Sequence, residues 1–337
     1  MKANHLSNNR IKYIICLIAC LSLLLCGCEA SPVVPLSDSI DSTAPASPQG
    51  NSPNSSSSDS DDPIAYRDST PVCLKCEAPG TSVDGNEFVA IDYSNNKDGY
   101  IMINYLGEAA KVKLQITGPN QVTYTYDLAK GFAAIPLTSG DGEYSISVCE
   151  NIVDNKYSVV FATALTFTGI DEFGPYLYPN QYVSFDSSKK TVSKGAELAS
   201  TCKDELEVVT NIYNYIISNI KYDYDKADNV GTGYISDVDE ILDSKTGICL
   251  DYAAVMTSML RTQSIPTRLE VGYVGKDMVY HAWISVYIEE IGWLNGVIQF
   301  NGKEWSLVDP TFGSTTSEKQ LKSYIGDGTN YSVKYIY

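Results

Sequence analysis

The architecture of this 337-residue chain is best predicted from one segment, which reads Lys245-Thr246-Gly247-Ile248-Cys249-Leu250-Asp251-Tyr252-Ala253-Ala254. Glycine permits a sharp backbone turn, so Gly247 marks the entry to a new element. A helical pattern of apolar residues follows, and Pro266 ends it. Cys249 is therefore predicted to lie in the first turn of a helix, where the positive end of the helix dipole favours a thiolate.

The segments on either side of this helix predict a mixed helical and antiparallel domain that covers residues 173–337. Upstream, apolar residues recur at helical spacing across 204–220, and acidic residues stand at the start of that segment. The polar, glycine-containing residues 222–233 are predicted to form a loop. Downstream, β-branched and apolar residues predict three strands, at 267–274, 281–288 and 304–308.

Residues 81–172 predict an all-β domain of the immunoglobulin-like sandwich type. Short apolar or alternating segments are separated by turn-forming Gly, Pro, Asn and Asp residues. The predicted strands are 88–93, 100–105, 111–117, 122–128, 143–148 and 157–167. No reactive side chains converge in this region, so we interpret it as an accessory or spacer domain. Carbohydrate or peptide binding through its tyrosines is the alternative.

The first 27 residues predict export rather than a folded element. Three basic residues precede an apolar run at 14–25, which is too short to span a bilayer as a stable helix. The run ends in Leu25-Cys26-Gly27-Cys28, which resembles the bacterial lipobox, although Cys26 stands where another small residue is usual. The resemblance implies cleavage after Gly27 and lipidation of Cys28. An ordinary cleaved signal peptide and an uncleaved anchor are the alternatives.

Residues 28–80 are predicted to be a tether. Between Glu29 and Pro63 the chain is rich in Ser, Pro, Asp and Asn, with acidic residues but no basic ones, so it buries too little apolar surface to fold. The protein is thus expected outside the cytoplasm, held at the bacterial membrane by its lipid. The formal net charge of −17 argues against nucleic acid as a partner.

The C-terminal region contains a cysteine, a histidine and an aspartate, the residue types that nucleophilic catalysis combines. The chain has two histidines, and His5 would leave with the signal peptide. His281 would then be the single imidazole available as a base near neutral pH. A single histidine also argues against a multi-histidine zinc site, and neither metal nor cofactor is predicted. Asp309 ends the last predicted strand, where a carboxylate could orient the imidazole.

Each of these residues also has an ordinary alternative. A cysteine is often a small buried residue, a lone histidine is often structural, and Asp-Pro is often a turn. Three motifs in one order are more specific: Gly247-x-Cys249-x-Asp251-Tyr252-Ala253, His281-Ala282-Trp283 and Asp309-Pro310-Thr311. Together they resemble the core motifs of the transglutaminase-like superfamily, a branch of the papain-like cysteine enzymes. The resemblance covers residues 204–312.

The resemblance implies a helix that carries the nucleophile at its N-terminus and packs on an antiparallel sheet. It also implies roles: Cys249 as nucleophile, His281 as general base and then acid, and Asp309 as the orienting carboxylate. The substrate would be an amide of a protein or peptide, converted through a thioester, with hydrolysis favoured over crosslinking. Tyr234 is a candidate for oxyanion assistance. A catalytically inert transglutaminase-like binding module in the cell envelope is the alternative.

We interpret the other residues of the three motifs, and the cysteines after Cys28 other than Cys249, as structural. Asp251 and Tyr252 are expected to support the helix start and the core, and Trp283 is expected to pack. The lone pair Cys73-Leu74-Lys75-Cys76 does not predict zinc. A disulfide within this pair, a disulfide between Cys149 and Cys202, and free thiols all stay open. The enzymatic interpretation requires that Cys249 is unpaired.

Overall fold

The computed structural model describes residues 65–274, 278–289, 291–295, 298–300, 305–307 and 331–337. The signal segment, Cys28, most of the tether and Asp309 lie outside these residues. The described residues belong to one unit that spans 62–337. None of the helices in the described ranges is long and apolar enough to cross a bilayer.

The N-terminal part of the described chain is a sandwich of two antiparallel four-stranded sheets. One sheet has the strand order β1-β2-β3-β6 and the other has the order β5-β4-β7-β8. The strands are β1 (Val83–Gly85), β2 (Val89–Asp92), β3 (Tyr100–Tyr105), β4 (Val112–Thr117), β5 (Thr123–Leu128), β6 (Gly131–Pro136), β7 (Gly142–Val153) and β8 (Lys156–Phe167). Burial alternates along β4 and β5, and both sheets contribute to one hydrophobic cluster, so apolar side chains fill the space between the sheets.

This arrangement confirms the predicted all-β sandwich and adds two strands to it. The bounds of β3 are those predicted, whereas β7 continues to Val153. Strand β6 reads Gly-Phe-Ala-Ala-Ile-Pro, a composition with little intrinsic strand preference. It forms because it pairs with β3, where Ile101 lies opposite Ile135 and both are fully buried. Cross-strand packing therefore determines this strand more than local preference does.

Helices dominate the next part of the chain. They are α1 (Lys190–Ala199), α2 (Glu205–Asn219), α3 (Tyr224–Asn229), α4 (Val238–Ser244) and α5 (Cys249–Arg261). Helix α2 begins after Asp204, whose carboxylate accepts a hydrogen bond from the Glu207 amide at 2.8 Å. Helix α3 corrects the loop predicted at 222–233. Its start is capped by Asp223, which accepts a hydrogen bond from the Lys226 amide at 2.8 Å.

Helix α5 is the centre of this region, and every residue from Asp251 to Arg261 is buried. It packs on a sheet with the order β13-β12-β11-β16. The remaining strands are β9 (Lys221–Tyr222), β10 (Thr246–Gly247), β11 (Thr267–Val274), β12 (Val279–Ile288), β13 (Gly292–Asn295), β14 (Ile298–Phe300), β15 (Trp305–Leu307) and β16 (Tyr331–Ile336). The predicted helix on an antiparallel sheet is confirmed. Short parallel pairing of β9 with β10 leads the chain into α5.

A cluster of tyrosine rings joins the sandwich to the last strand. The ring centroid of Tyr126 on β5 lies 6.2 Å from that of Tyr182 and 6.1 Å from that of Tyr337. Tyr124 lies 5.4 Å from Tyr335, and its hydroxyl accepts a hydrogen bond from the Ile336 amide at 3.3 Å. The sandwich therefore packs against the chain segment that completes the C-terminal sheet.

The five cysteines of the described chain are free thiols: Cys73, Cys76, Cys149, Cys202 and Cys249. Neither of the two candidate disulfides is present among them. Burial raises the pKa of Cys76 to about 12, and its Sγ donates a hydrogen bond to the Pro179 carbonyl at 3.4 Å. The CxxC pair is thus part of the packing between the sandwich and its neighbouring segments rather than a reactive dithiol.

Substitution of Gly272 tests how closely β11 and β16 approach each other in the C-terminal sheet. It lies on β11, where the pairing with β16 shifts register, and an added Cβ would collide with the carbonyl oxygen of Ser332. We expect Gly272→Ala to lower the free energy of unfolding by about 1–3 kcal/mol, measured by urea denaturation. Gly231→Ala is the control, since nothing lies within 4 Å of its added Cβ. Equal effects of the two substitutions would contradict the close strand approach.

Candidate active site

Cys249 is the first residue of α5, as the sequence predicts. Ile248 precedes it in extended conformation, so the chain turns into the helix directly before the thiol. The side chain is half-buried and lines a cavity of about 610 Å³. The thiol therefore stands at the N-terminal, positive end of the helix dipole.

Gly247 is required for close packing rather than for a left-handed turn. The positive-φ residue near this point is Lys245, at 56°, which ends α4, and Gly247 is not among the residues with positive φ. A Cβ on Gly247 would lie 2.8 Å from the Cβ of Asp251. The glycine that marks the helix entry in the sequence thus makes room for the Asp251 side chain.

Asp251 is a fully buried carboxylate at the start of α5. Its Oδ2 accepts hydrogen bonds from the Ile248 amide at 2.9 Å and from Lys226 Nζ at 2.8 Å. Its Oδ1 accepts from the Tyr234 hydroxyl at 2.8 Å and from the Ser236 hydroxyl at 2.5 Å. These donors compensate the cost of removing the charge from water. The carboxylate supports the helix start, as predicted, and also connects α5 to the segment before it.

Lys226 and Tyr234 form the other side of this network. Lys226 Nζ donates a hydrogen bond to the Tyr234 hydroxyl at 2.6 Å and lies 4.5 Å from the centroid of its ring. Burial lowers the pKa of Lys226, but its hydrogen bonds with Asp251 and Tyr234 outweigh burial and leave the pKa raised. The Tyr234 proton is directed to Asp251. This geometry supports an anchoring role for Tyr234 instead of the predicted oxyanion assistance.

His281 lies on β12, opposite Gly272 of β11, and is 7% exposed. It lines the same cavity as Cys249. The fold therefore brings two of the three predicted catalytic residues to one cavity, although they lie on different elements. The third, Asp309, lies outside the described residues, so its role stays a prediction from the sequence.

Glu270 is a buried carboxylate that no motif in the sequence marks as part of the site. Its Oε2 accepts hydrogen bonds from Trp283 Nε1 at 2.6 Å and from the Ser285 hydroxyl at 2.9 Å. Burial raises the pKa of Glu270, against the lowering effect of these hydrogen bonds. Trp283 is buried and two residues from His281, so this contact fixes the strand that carries the imidazole. The signal in the sequence is a single acid in the apolar strand 267–274.

The cavity wall combines four parts of the chain. These are the segment before α1, the segment that runs from β9 through α3 to α4, the start of α5, and the β11–β12 sheet with the residue that follows β16. The lining residues are Tyr182, Tyr222, Ala227, Val230, Gly231, Thr232, Gly233, Tyr234, Ile248, Cys249, Leu250, Val271, Tyr280, His281, Ala282 and Tyr337. Within the described ranges, no group of three His, Cys, Asp or Glu side chains could hold a metal ion.

One known protein family matches the part of the chain that contains Cys249 and His281. Residues 193–296 match the model of the transglutaminase-like superfamily, and both Cys249 and His281 fall within the match. This segment is a transglutaminase-like domain. The match begins within α1 and ends just after β13, so it includes α5 and the two central strands of the sheet on which α5 packs.

Proteins similar to this domain come from distant organisms. The UPF0252 protein MJ1282 of Methanocaldococcus jannaschii is 33% identical over 97 residues, which cover 26% of this chain and 28% of that protein. A protein-glutamine gamma-glutamyltransferase of Pseudomonas aeruginosa is 31% identical over 86 residues, which cover 22% of this chain and 11% of that protein. The chain thus spans less than a third of either relative.

Among solved structures, red sea bream transglutaminase aligns with a TM-score of 0.27 and 14% sequence identity. The alignment covers 63% of this chain and 48% of that chain.

Replacement of Asp251 tests the network that positions α5. Asp251→Ala would leave four donors, including the Lys226 ammonium, without their acceptor. We expect the free energy of unfolding to fall by about 3–5 kcal/mol, as for removal of one partner from a buried charged pair. Asp243→Ala is the matched control. It breaks a solvent-exposed 2.5 Å ion pair with Lys190, so little or no change in stability is expected. Chemical denaturation of both variants measures the difference, and comparable losses would show that the buried network does not hold the helix start.

Proposed function

We propose that this chain is a cell-surface cysteine acyl-transfer enzyme that acts on amide bonds of proteins or peptides. One observation carries the proposal: Cys249, at the start of a buried helix, and His281 line the same cavity. The transglutaminase-like domain supports an enzyme of this superfamily. Hydrolysis is proposed as the principal reaction, since water reaches the thioester without a second binding site.

The proposed reaction has two steps. The Cys249 thiolate attacks the carbonyl carbon of the amide, and amides at the helix N-terminus stabilise the oxyanion. The C–N bond breaks, the His281 imidazolium gives its proton to the leaving amine, and a thioester remains on Cys249. Neutral His281 then takes a proton from water, whose oxygen attacks the thioester carbon. The C–S bond breaks, a carboxylic acid leaves, and the thiolate–imidazolium pair is restored.

The protonation state of the tyrosines around His281 supports the assignment of His281 as the base. Burial raises the pKa of four cavity tyrosines, Tyr182, Tyr234, Tyr280 and Tyr337. These phenols are protonated at neutral pH, so they act as neutral lining rather than as bases. Asp309 enters the proposal as the carboxylate that orients the imidazole, on the strength of its motif alone.

The proposed location follows from the N-terminal segment. We propose that Cys28 is lipidated and that residues up to 80 tether the folded part to the outer surface of the bacterial membrane. The apolar run and the lipobox-like segment support this location, and the acidic, serine-rich composition supports an extended tether. The substrates would then be proteins or peptides outside the cytoplasm.

Turnover of quenched fluorescent peptides tests the proposed function. We expect Cys249→Ala to lower the cleavage rate by about 10³-fold or more, because the nucleophile is lost. Cys73→Ala, which removes a half-buried thiol outside the cavity, should retain the rate. Mass spectrometry of acid-quenched reactions should show an acyl group on the peptide that contains Cys249.

A parallel assay with an added primary amine distinguishes hydrolysis from transamidation. Cleavage without amine incorporation supports the proposed hydrolase. Absence of both reactions in the wild-type protein, with peptide binding retained, would contradict the proposal and favour the inert binding module.

A further inference from the structure

The described residues that line the cavity at Cys249 are mostly aromatic, apolar or small. Although 19% of the residues in the chain are charged, no Asp, Glu, Lys or Arg occurs among the described residues that line this cavity. Two charged groups nearby, the buried Asp251 and the partly exposed Lys226, are paired with each other at 2.8 Å and are not among the lining residues. A charged group of a ligand would therefore find no opposite charge among the described lining residues.

Aromatic rings provide much of the lining. Five tyrosines contribute to the wall, together with apolar side chains such as Ile248, Leu250 and Val271. The hydroxyls of several of these tyrosines are already engaged within the protein. Tyr234 donates a hydrogen bond to Asp251, and the hydroxyls of Tyr182 and Tyr337 interact with each other, with ring centroids 4.2 Å apart. A ligand in the cavity would therefore contact mainly the aromatic rings of these tyrosines rather than their hydroxyl groups.

An exposed apolar strip continues from the cavity at the start of β12. Met278, Val279 and Tyr280 are each more than half exposed, and Tyr280 also lines the cavity. Three consecutive exposed apolar side chains next to a cavity are typical of a binding surface. Tyr280 belongs to both this strip and the cavity wall, so we expect a ligand held at Cys249 to extend toward the start of β12.

We infer that this cavity selects acyl donors in which the side chain next to the reacting amide is uncharged and aromatic or large and apolar. The inference rests on the proposed function, because it assumes that Cys249 is the reacting atom. Burial of an unpaired charge in such a cavity is costly, whereas a neutral ring gains contact with the tyrosine rings and loses little hydration. Apolar segments of proteins fit the cavity better than peptides that carry charged side chains at this position.

A matched series of thiol-directed reagents tests the inference. The series is chloroacetamide, its N-(2-phenylethyl) derivative, and two derivatives of similar size that carry a carboxylate or an ammonium group on the ring. The rate of Cys249 alkylation is measured by peptide mass spectrometry and divided by the rate for a free thiol in solution. We expect the neutral aromatic reagent to react about 10-fold faster than either charged reagent.

The outcomes separate the inference from the proposed function. Chloroacetamide itself reports on the proposed function: if Cys249 reacts no faster than Cys73, the proposed function fails. If Cys249 is the faster thiol but the three aromatic reagents react at equal rates, only the inference fails. A preference for the ammonium or the carboxylate reagent would also overturn it, since it would show selection of a charged ligand.

Substitution of Tyr280 tests whether this residue contributes to the preference for the neutral aromatic reagent. We expect Tyr280→Ala to reduce the ratio of the neutral aromatic rate to the charged rates at least threefold, about half of the tenfold effect on a logarithmic scale. The control is Tyr224→Ala, which removes an exposed tyrosine that does not line the cavity and should keep the wild-type ratio. The ratio is internal to each variant, so a change in overall stability does not produce it. An unchanged ratio in Tyr280→Ala would contradict the assignment of the apolar strip.

Discussion

The buried carboxylate of Asp251 is the interaction on which the geometry of the site depends. It accepts hydrogen bonds from the Ile248 amide and from three side chains of the preceding segment, those of Lys226, Tyr234 and Ser236. A buried charge is stable only while its donors stay in place. The same atoms therefore fix the start of α5, the cavity loop and the distance between them. Gly247 makes this possible by leaving room for the carboxylate.

The opposite end of α5 is held by a buried charge of the opposite sign. Arg261 donates hydrogen bonds to the carbonyl oxygens of Thr267, Tyr178 and Tyr337, at distances of 2.6–3.0 Å. A carboxylate at the N-terminus and a guanidinium at the C-terminus both suit the helix dipole. Through Arg261 the helix is connected to the residue that completes the cavity wall, and through the tyrosine cluster that residue contacts the sandwich. The sandwich is thus in contact with the site rather than remote from it.

The sequence patterns predicted those helices and strands that are determined by residues close together in the chain. Helix α5, strand β11 and the position of Cys249 follow from apolar spacing, a glycine and a proline, and the structure has them at the predicted places. The contacts that assemble the site join residues far apart in the chain, so no local pattern reports them. Lys226 with Asp251 and Glu270 with Trp283 are such pairs. Helix α3 was missed because its polar residues suggest a loop, although Asp223 is a recognisable cap. The assignments of Asp309 and Cys28 stay predictions.

Cys249 and His281 are proposed to act as one nucleophile and base pair. The most direct measurement is the rate of Cys249 alkylation by iodoacetamide at neutral pH, in the wild-type protein and in His281→Gln. We expect wild-type Cys249 to react at least about 10-fold faster than Cys249 in His281→Gln, because the substitution removes the base that activates the thiol. Equal rates in the two proteins would contradict the pairing of Cys249 with His281.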